Sequence, residues 1–397
     1  MFAANIWVLV KAGFEFGPLL VWPVLLFLAV RPLKVARWAQ ALLGAVLLFA
    51  TQKFLIYRFV GGDSFVPDLP ERFVNLTGWT YSSSMIFFGL VCVWSLAKFA
   101  CRPLSRTARD GGGASAVARD RIVIPGLAVL AMAVAGWGVW TGVRVPDIRR
   151  VEIPVTGLPA AFDGFRIVQL TDLHCSSAAR KGRTAGIVAQ VNALDPDLVC
   201  ITGDFVDGSP AQRAEDLAPL RDLKARHGVF GCSGNHEYIY SYPAWRAVYA
   251  ACGVTMLDNA HRVIEKDGAR LALGGVVDFA SAWKTPGGER PDVRKAFAGA
   301  PADACRVLLQ HQPQRSRRNA EHGVRLQLTG HTHGGAIRGL DLLVARMGNE
   351  GLVRGLYRLG DMALYVSPGT GQWAGFPLRL GVPAEITEIV LRSPSAR

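Results

Sequence analysis

The sequence predicts a protein in two parts, a membrane-spanning helical region over residues 1–145 and an α/β domain over residues 146–397. The length of 397 residues is enough for more than one folded unit. Half of the residues are hydrophobic and only 19% are charged, which is too apolar for a wholly soluble or disordered chain. Long apolar runs end near residue 145. Beyond it, short apolar runs alternate with clusters of Gly, Pro, Asp and His.

Four apolar runs in the first part are predicted to cross a bilayer as helices. The clearest run has 22 residues without a charge, against the about 20 that a helix needs to span the hydrocarbon core. Two further runs carry one basic residue near an end, Arg37 or Lys98, where a long side chain reaches the head groups. The predicted spans cover roughly 6–30, 35–51, 81–100 and 122–143.

The first of these runs is interrupted by charged residues and prolines. Lys11 and Glu15 are four residues apart, so on a helix they would face each other and form an ion pair. Alternatively, the span begins after them. Pro18 and Pro23 are expected to kink the helix.

The distribution of basic residues predicts the orientation in the membrane. The connections 31–37 and 98–121 together hold nine Lys or Arg residues, whereas the stretch 53–80 has three, offset by three acids. Basic loops favour the cytoplasmic side. We therefore expect a multi-pass protein of a bacterial-type inner membrane, with residues 146–397 on the extracytoplasmic side. These loops account for part of the net charge of +13, and because no basic stripe interleaved with aromatic residues is present, we expect no nucleic-acid partner.

The second part alternates short buried strands with helices. The first strand covers 165–170, and a helix whose apolar face includes Ile187 and Val191 follows it. Further strands are predicted at 198–202, 228–232, 271–277, 305–310, 324–328 and 363–366. Polar residues capable of chemistry follow most of these strands. The carboxyl ends of strands are where open α/β sheets build their sites.

Seven of these polar residues are candidate metal ligands. All are oxygen or imidazole donors, with no obligatory thiolate, which suits Mn, Fe or Zn at a reactive centre rather than a structural zinc site or a calcium cage. Each short cluster alone is more often a polar loop, but five clusters in order, each after a strand, are not expected by chance. The candidates are Asp172, His174, Asp204, Asn235, His311, His331 and His333.

The five clusters resemble the calcineurin-like metallophosphoesterases, whose pattern is D-x-H, G-D-x-x-D, G-N-H-[DE], H and G-H-x-H. The resemblance covers about 151–391 and looks most like the bacterial YkuE/YaeI branch of the family. It implies a four-layer αββα sandwich that holds two divalent metal ions. In this chain the motifs stand as Asp172-Leu-His174, Gly203-Asp-Phe-Val-Asp207, Gly234-Asn-His-Glu237, His311 and Gly330-His-Thr-His333.

The resemblance also implies how the ligands divide. One metal would be held by Asp172, His174 and His333, and Asp204 would bridge to the other. The second metal would be held by Asn235, His311 and His331. Two cations about 3.5–4 Å apart shield the charge of a phosphate ester and generate a bound hydroxide near neutral pH.

Two further residues are candidates for catalysis beside the metals. His236 directly follows a ligand and can donate to the leaving oxygen, or to a nonbridging oxygen of the transition state. Asp207, three residues after Asp204, would orient that imidazole and raise its pKa. The alternative for Asp207 is a structural role in a turn or at a helix N-terminus.

The sequence thus predicts a membrane-anchored dimetal phosphoesterase that hydrolyses phosphomonoesters or phosphodiesters through a metal-bound hydroxide. Members of the YaeI branch are linked to lipid substrates such as UDP-2,3-diacylglucosamine, so a lipid-linked phosphate ester is one candidate. The expected extracytoplasmic side argues against a cytosolic nucleotide lipid. The alternative is a membrane transporter or sensor with a catalytically silent domain. Lys11 and Glu15 favour this alternative because they are charged residues within an apolar run.

Overall fold

The chain divides into two compact units, Met1–Trp140 and Thr141–Arg397. A computed structural model describes residues 11–101, 112–373 and 375–393. The start of the first predicted span, at 6–10, and much of the basic connection 98–121 therefore lie outside the described residues.

Within the described residues, the first unit has three helices long and apolar enough to cross a membrane. A bent pair of helices, with an angle of 70° between them, makes a fourth span if the pair counts as one. The chain is therefore a membrane protein with three or four candidate spans. The helices are α1 (Lys11–Leu33), α2 (Arg37–Thr51), α3 (Lys53–Val60), α4 (Glu71–Cys101) and α5 (Gly112–Val143), with α2 and α3 forming the bent pair.

The stretch 53–80, which the sequence leaves outside the predicted spans, is helical over α3 and again from Glu71. Helix α4 therefore begins ten residues before the predicted start at 81. Its polar residues fit within the helix because their hydroxyls donate to carbonyls one turn earlier, as Thr77 does to Phe73 O (2.9 Å) and Ser83 to Trp79 O (2.7 Å).

Lys11 and Glu15 both lie within α1, so this helix does not begin after them. Their partners come from other parts of the unit. The Lys11 ammonium lies 3.4 Å from an Asp63 carboxylate oxygen, and the buried Glu15 carboxylate accepts hydrogen bonds from Arg58 Nη1 (2.7 Å) and Ser64 Oγ. The pairing of Lys11 with Glu15 that their spacing suggests is therefore replaced by long-range ion pairs.

The second unit contains two six-stranded mixed sheets. The first has the strand order β1-β12-β2-β3-β4-β5 and the second the order β10-β11-β9-β8-β7-β6. The first sheet consists of β1 (Asp147–Pro154), β2 (Arg166–Leu170), β3 (Leu198–Thr202), β4 (Val229–Cys232), β5 (Val254–Met256) and β12 (Glu385–Arg392). The second consists of β6 (Ala260–Lys266), β7 (Ala269–Gly275), β8 (Cys305–Leu309), β9 (Val324–Thr329), β10 (Gly355–Leu359) and β11 (Met362–Val366).

Helices cover the outer face of each sheet, which confirms the four-layer αββα sandwich. The layer between the sheets is apolar and packs residues such as Ile167 of β2 against residues such as Val307 of β8. Trp245 is fully buried on the outer side of the first sheet, and Phe297 packs on the outer side of the second. The helices are α6 (Lys181–Ala193), α7 (Pro210–Leu217), α8 (Asn235–Ile239), α9 (Tyr242–Ala251), α10 (Ser281–Lys284), α11 (Val293–Ala296), α12 (Ser316–Ala320) and α13 (Asp341–Val344).

The arrangement of parallel strands positions the site. β2, β3 and β4 run parallel to one another, as do β7, β8, β9 and β11. The carboxyl ends of parallel strands meet at one edge of a sheet, which is where α/β sheets bind their ligands. The loops after β2, β3, β8 and β9 contain six of the seven candidate ligands, and the seventh, Asn235, is the first residue of α8, which follows β4.

Candidate metal centre

Five of the thirteen non-glycine residues with positive φ angles among the described residues are candidate ligands. The φ angles of Asp172, His174, Asp204, His331 and His333 are 51°, 44°, 51°, 71° and 48°, a region that residues other than glycine seldom adopt. Such conformations cost about 1–3 kcal/mol each and persist where the surrounding fold enforces them, commonly at functional sites. The fold therefore imposes strain to direct these five side chains.

The motif glycines leave room for the carboxylates. A Cβ atom at Gly234 would overlap the Asp204 carboxylate, and one at Gly330 would overlap the Asp172 carboxylate. No larger residue fits at either position unless the carboxylate moves. The glycines of G-N-H and G-H-x-H are thus explained by the close approach of the backbone to these two acids.

Asp172, His174 and His333 form one cluster. Their potential ligand atoms all lie within 4.8 Å of one another. The two imidazoles face each other with Nε2 atoms 3.1 Å apart, and His333 Nε2 lies 3.5 Å from Asp172 Oδ1. This group coincides with the first ligand set that the resemblance implies.

Asp204, His311 and His331 form the second cluster, again with all ligand atoms within 4.8 Å. Asp204 Oδ2 is 3.2 Å from His311 Nε2 and 3.7 Å from His174 Nε2 of the first cluster. The other oxygen, Oδ1, accepts a hydrogen bond from the His236 backbone N–H (2.9 Å). One Asp204 oxygen is thereby held by the backbone, while the other lies between the two clusters.

Hydrogen bonds fix which nitrogen each imidazole presents. His311 Nδ1 donates to the carbonyl of Thr202 (2.8 Å), and His174 Nδ1 donates to Asp207 Oδ1 (3.2 Å). Such bonds leave Nε2 with a free lone pair and hold the ring in place. Both histidines therefore present the nitrogen that faces Asp204.

Asp207 contacts a second histidine at the edge of the clusters. Its Oδ1 accepts from His236 Nδ1 at 2.6 Å, and His236 Nε2 lies 3.9 Å from Asp204 Oδ2. Burial alone would lower the pKa of His236, but the carboxylates of Asp204 and Asp207 outweigh it and raise the pKa to about 9. Burial would raise the pKa of Asp207, yet His174 and His236 hold it well below its usual range.

The donor chemistry of the two clusters fits a pair of divalent cations. Asn235 Oδ1 is buried and has no hydrogen-bond partner among the described residues, which is costly unless another ligand takes up its lone pair. Asp204 is buried and, although burial opposes ionisation, the neighbouring histidines His311 and His236 lower its pKa well below the usual value. An ionised carboxylate, an unpartnered amide oxygen and two pairs of converging imidazoles are ligands that Mn, Fe or Zn accept.

Glu237 has a supporting role that the sequence does not assign to it. Its buried carboxylate accepts hydrogen bonds from the backbone N–H groups of Gly234 (2.6 Å), Asp204 (3.0 Å) and Phe205 (2.7 Å). It thus ties the loop after β4 to the loop after β3. A glutamate three residues after the N-cap commonly accepts from the N-cap N–H, as Glu237 does from Gly234, and this signal was present within the G-N-H-E motif.

Arg379 is a second residue missed by the sequence. Its fully buried guanidinium has Nη2 3.2 Å from His333 Nδ1, and the same nitrogen donates to Pro368 O (2.8 Å) and Gly371 O (2.6 Å). Burial lowers its pKa to about 9. Arg379 therefore holds the loop after β11 against His333. No motif in the sequence marks Arg379 as part of the site.

Asp278 lies in the segment after β7 and is buried. Gln312 Nε2 is 3.0 Å from each of its carboxylate oxygens, and Gln312 directly follows His311. Burial raises the pKa of Asp278 to about 6. This pair therefore braces the loop that carries a candidate ligand.

The chain is similar to several known phosphoesterases. The calcineurin-like phosphoesterase family profile matches residues 165–335. A Bos taurus transmembrane protein with a metallophosphoesterase domain is 31% identical over 365 residues, covering 89% of this chain and 80% of that protein. The Bacillus subtilis metallophosphoesterase YkuE is 28% identical, over 59% of this chain and 82% of its own length. The Chlamydia trachomatis UDP-2,3-diacylglucosamine pyrophosphatase LpxG is 26% identical, over 65% of this chain and 93% of its own length.

The αββα sandwich and its two His/Asp clusters define a metal-dependent phosphoesterase. The chain belongs to the calcineurin-like phosphoesterase family. Its long apolar N-terminal helices agree with its similarity to a transmembrane protein of this family. The resemblance to YkuE, predicted from the sequence motifs, is confirmed.

Proposed function

We propose that the chain is a membrane-anchored phosphoesterase that hydrolyses phosphomonoesters or phosphodiesters with two divalent cations, Mn, Fe or Zn. The observation that carries this is the position of Asp204, one of whose oxygens lies between the two His/Asp clusters. When bound, the cations would neutralise the phosphate and activate a water molecule. One ion would be held by Asp172, His174, His333 and Asp204, and the other by Asp204, Asn235, His311 and His331.

His236 is the proposed proton donor to the leaving oxygen. It is the least buried side chain of the group formed with His174 and Asp207, so a substrate can reach it. Asp207 accepts from Nδ1, which directs Nε2 towards the side of the clusters and stabilises the imidazolium. The rings of Tyr240 and Trp373 lie 6.3 and 6.4 Å from that of His236 and form an aromatic wall beside it.

The proposed function is tested by metal-dependent hydrolysis of bis(p-nitrophenyl) phosphate. We expect the purified full chain to release p-nitrophenol with Mn, to lose this activity on chelation and to regain it when Mn is returned. His322→Ala is the matched control, because His322 lies outside both clusters, and it should behave as the wild type. Hydrolysis that persists at an unchanged rate after complete chelation would refute the proposal.

A lipid-linked phosphate ester is the proposed substrate class. The first unit anchors the chain with three or four candidate spans, and the relative LpxG is named for hydrolysis of UDP-2,3-diacylglucosamine. An anchored enzyme meets amphiphilic esters at high local concentration. UDP-2,3-diacylglucosamine is a specific candidate if the catalytic unit faces the cytoplasm.

The proposed arrangement has residues 1–145 in a bacterial-type inner membrane and residues 146–397 as the catalytic domain on the extracytoplasmic side. The nine basic residues of 31–37 and 98–121 support it. The five cysteines of the second unit are all buried and unpaired, so an oxidising compartment would not readily modify them: Cys175, Cys200, Cys232, Cys252 and Cys305.

Reporter fusions after Arg397 test this orientation. We expect an alkaline phosphatase fusion to be active and a green fluorescent protein fusion exported by the general secretion route to be dark, since nine basic residues disfavour translocation of their loops. Immunoblots of both fusions control for expression. The reverse pattern would place the catalytic domain in the cytoplasm and make the UDP-lipid the leading substrate.

The transporter or sensor remains the second candidate because of one feature of the first unit. Lys11, Glu15, Arg58, Asp63 and Ser64 line a cavity of about 520 Å³ within it. Ionisable residues within membrane segments commonly mark functional sites. This candidate requires that the second unit be catalytically silent, so metal-dependent hydrolysis by the wild type removes it.

A further inference from the structure

The segment directly after the metal-binding turn exposes a group of large apolar side chains. We refer to residues 340–347 as the lip. Four of its eight residues are apolar and open to solvent: Leu340 at 45%, Leu342 at 71%, Leu343 at 58% and Met347 at 68% exposure. Single exposed apolar residues are ordinary, whereas four within eight residues mark an interaction surface.

The exposure of the lip does not come from a lack of structure. Helix α13 forms its first half, and the backbone N–H groups of Val344 and Ala345 donate to Leu340 O (3.0 Å) and Asp341 O (2.9 Å). The buried side chain of Asn349 donates to Val344 O (2.9 Å) and fastens the far end. The apolar side chains are therefore held outward by a backbone whose polar groups are satisfied.

The lip is fastened to the turn that carries the ligand His333. Arg354 Nη1 donates to Gly334 O (2.8 Å), and its Nη2 lies 2.9 Å from an Asp341 carboxylate oxygen. A Cβ at Gly335 would fall 2.6 Å from the Asp341 backbone, so the backbone of the His333 turn lies directly against the start of α13. Whatever the lip contacts is thereby fixed in position relative to the metal centre.

The charges on this segment are those that suit an anionic surface. Arg338 precedes the apolar residues, Arg346 lies between Leu343 and Met347, and both arginines are exposed. The one acid between them, Asp341, is already paired with Arg354. Exposed apolar side chains flanked by arginines are typical of segments that lie in the interface of an anionic bilayer.

We propose that the lip is a bilayer-contacting surface. Its four apolar side chains enter the boundary between head groups and acyl chains, while Arg338 and Arg346 contact anionic head groups. This contact holds the metal centre at the lipid surface, where the phosphate of an amphiphilic ester lies. The statement about substrate rests on the proposed function, but the surface contact itself does not depend on hydrolysis.

A dye on the lip tests the contact independently of activity. Leu343→Cys and, as a control, Val263→Cys on β6 are labelled with nitrobenzoxadiazole in the full chain, with Cys92 and Cys101 replaced by Ser. The proteins are reconstituted into phosphatidylcholine and phosphatidylglycerol vesicles that contain brominated acyl chains. We expect the bromines to quench the dye at 343 about threefold more than the dye at 263, since interfacial side chains reach the acyl boundary. Equal quenching at the two positions would overturn the proposal.

Two esters with the same leaving group test the consequence for substrate. Hexadecyl p-nitrophenyl phosphate enters vesicles, whereas bis(p-nitrophenyl) phosphate stays in solution. In the triple variant Leu342→Ser, Leu343→Ser, Met347→Ser, the hydrolysis rate should fall about tenfold with the hexadecyl ester and less than about twofold with the soluble ester. Only the hexadecyl ester requires contact with the bilayer. The variant Val263→Ser, changed at an exposed apolar residue outside the lip, should keep its activity on both esters.

The outcomes separate the lip from the catalytic proposal. Equal losses on both esters would overturn the role of the lip, since the defect would then lie at the metal centre or in folding. A wild type inactive on both esters, together with strong quenching at 343, would refute the proposed function and support the bilayer contact.

Discussion

Replacing Asp204 by Asn is expected to abolish phosphate ester hydrolysis and to lower the content of bound metal. The anionic Oδ2 lies 3.2 Å from His311 Nε2 and 3.7 Å from His174 Nε2, so it is the atom placed to serve both clusters. Asparagine keeps the shape of the side chain. It removes the negative charge, however, and an amide nitrogen cannot ligate a cation as a carboxylate oxygen does.

Metal analysis of the purified Asp204→Asn chain, together with hydrolysis of bis(p-nitrophenyl) phosphate, checks this prediction. Asp222→Asn is the matched control, because Asp222 is an exposed aspartate outside the clusters. It should retain both metal and activity. Two ions at full occupancy in Asp204→Asn would sink the bridging role.

Replacing His236 by Ala is expected to lower the rate by about 10²–10⁴, the usual contribution of a positioned acid, while both ions stay bound. The loss should be smaller for p-nitrophenolate, a leaving group that needs no proton, than for an alkoxide. We expect both ions to stay bound because His236 Nδ1 donates to an Asp207 oxygen at 2.6 Å, so this nitrogen is engaged with a carboxylate and not with a metal ion.

Rates with good and poor leaving groups, together with metal content, check the His236 prediction. His174, Asp207 and His236 also lie close enough to be read as a third ligand group, and loss of metal from His236→Ala would favour that alternative. Equal losses for both leaving groups would instead point to electrostatic stabilisation without proton transfer. His261→Ala, at a histidine whose Nδ1 contacts Ala296 O far along the second sheet, is the control.

The α/β character of the second unit could be predicted from the sequence because most of its central strands are short, apolar and followed by distinctive polar motifs. The αββα sandwich was implied by the resemblance of those motifs to the calcineurin-like metallophosphoesterases. β2, β3, β8 and β9 are nearly wholly buried, and a continuous apolar run is the signal that such strands leave. The candidate ligands follow those strands directly. Their position at the carboxyl ends of strands could therefore be predicted, whereas their division into two sets was implied by the resemblance.

The edge strands could not be predicted in the same way. β1 is largely exposed and contains Arg149 and Arg150, whose partners Glu385 and Glu388 belong to the distant β12. Such a strand shows neither an alternation of apolar and polar residues nor a continuous apolar run. Its pairing depends on a contact more than two hundred residues away in the chain.

Long-range contacts also explain what was missed around the site and in the first unit. Arg379 reaches His333 across 46 residues, and Arg58 reaches Glu15 across 43. Single-sequence reasoning has access to spacing on one helix or strand, and for Glu15 that spacing suggested Lys11 instead. The partners of buried charges are a property of the tertiary fold.

The position of β12 has a consequence for biogenesis. Among the described residues this strand follows every other strand in the chain, yet in the first sheet it lies between β1 and β2, parallel to one and antiparallel to the other. The nascent chain cannot close that sheet until residue 392 has emerged from the ribosome. Until then, β1 and the edge of β2 that faces it have open hydrogen-bonding groups, so the first sheet is completed later than the second, which contains no part of β12.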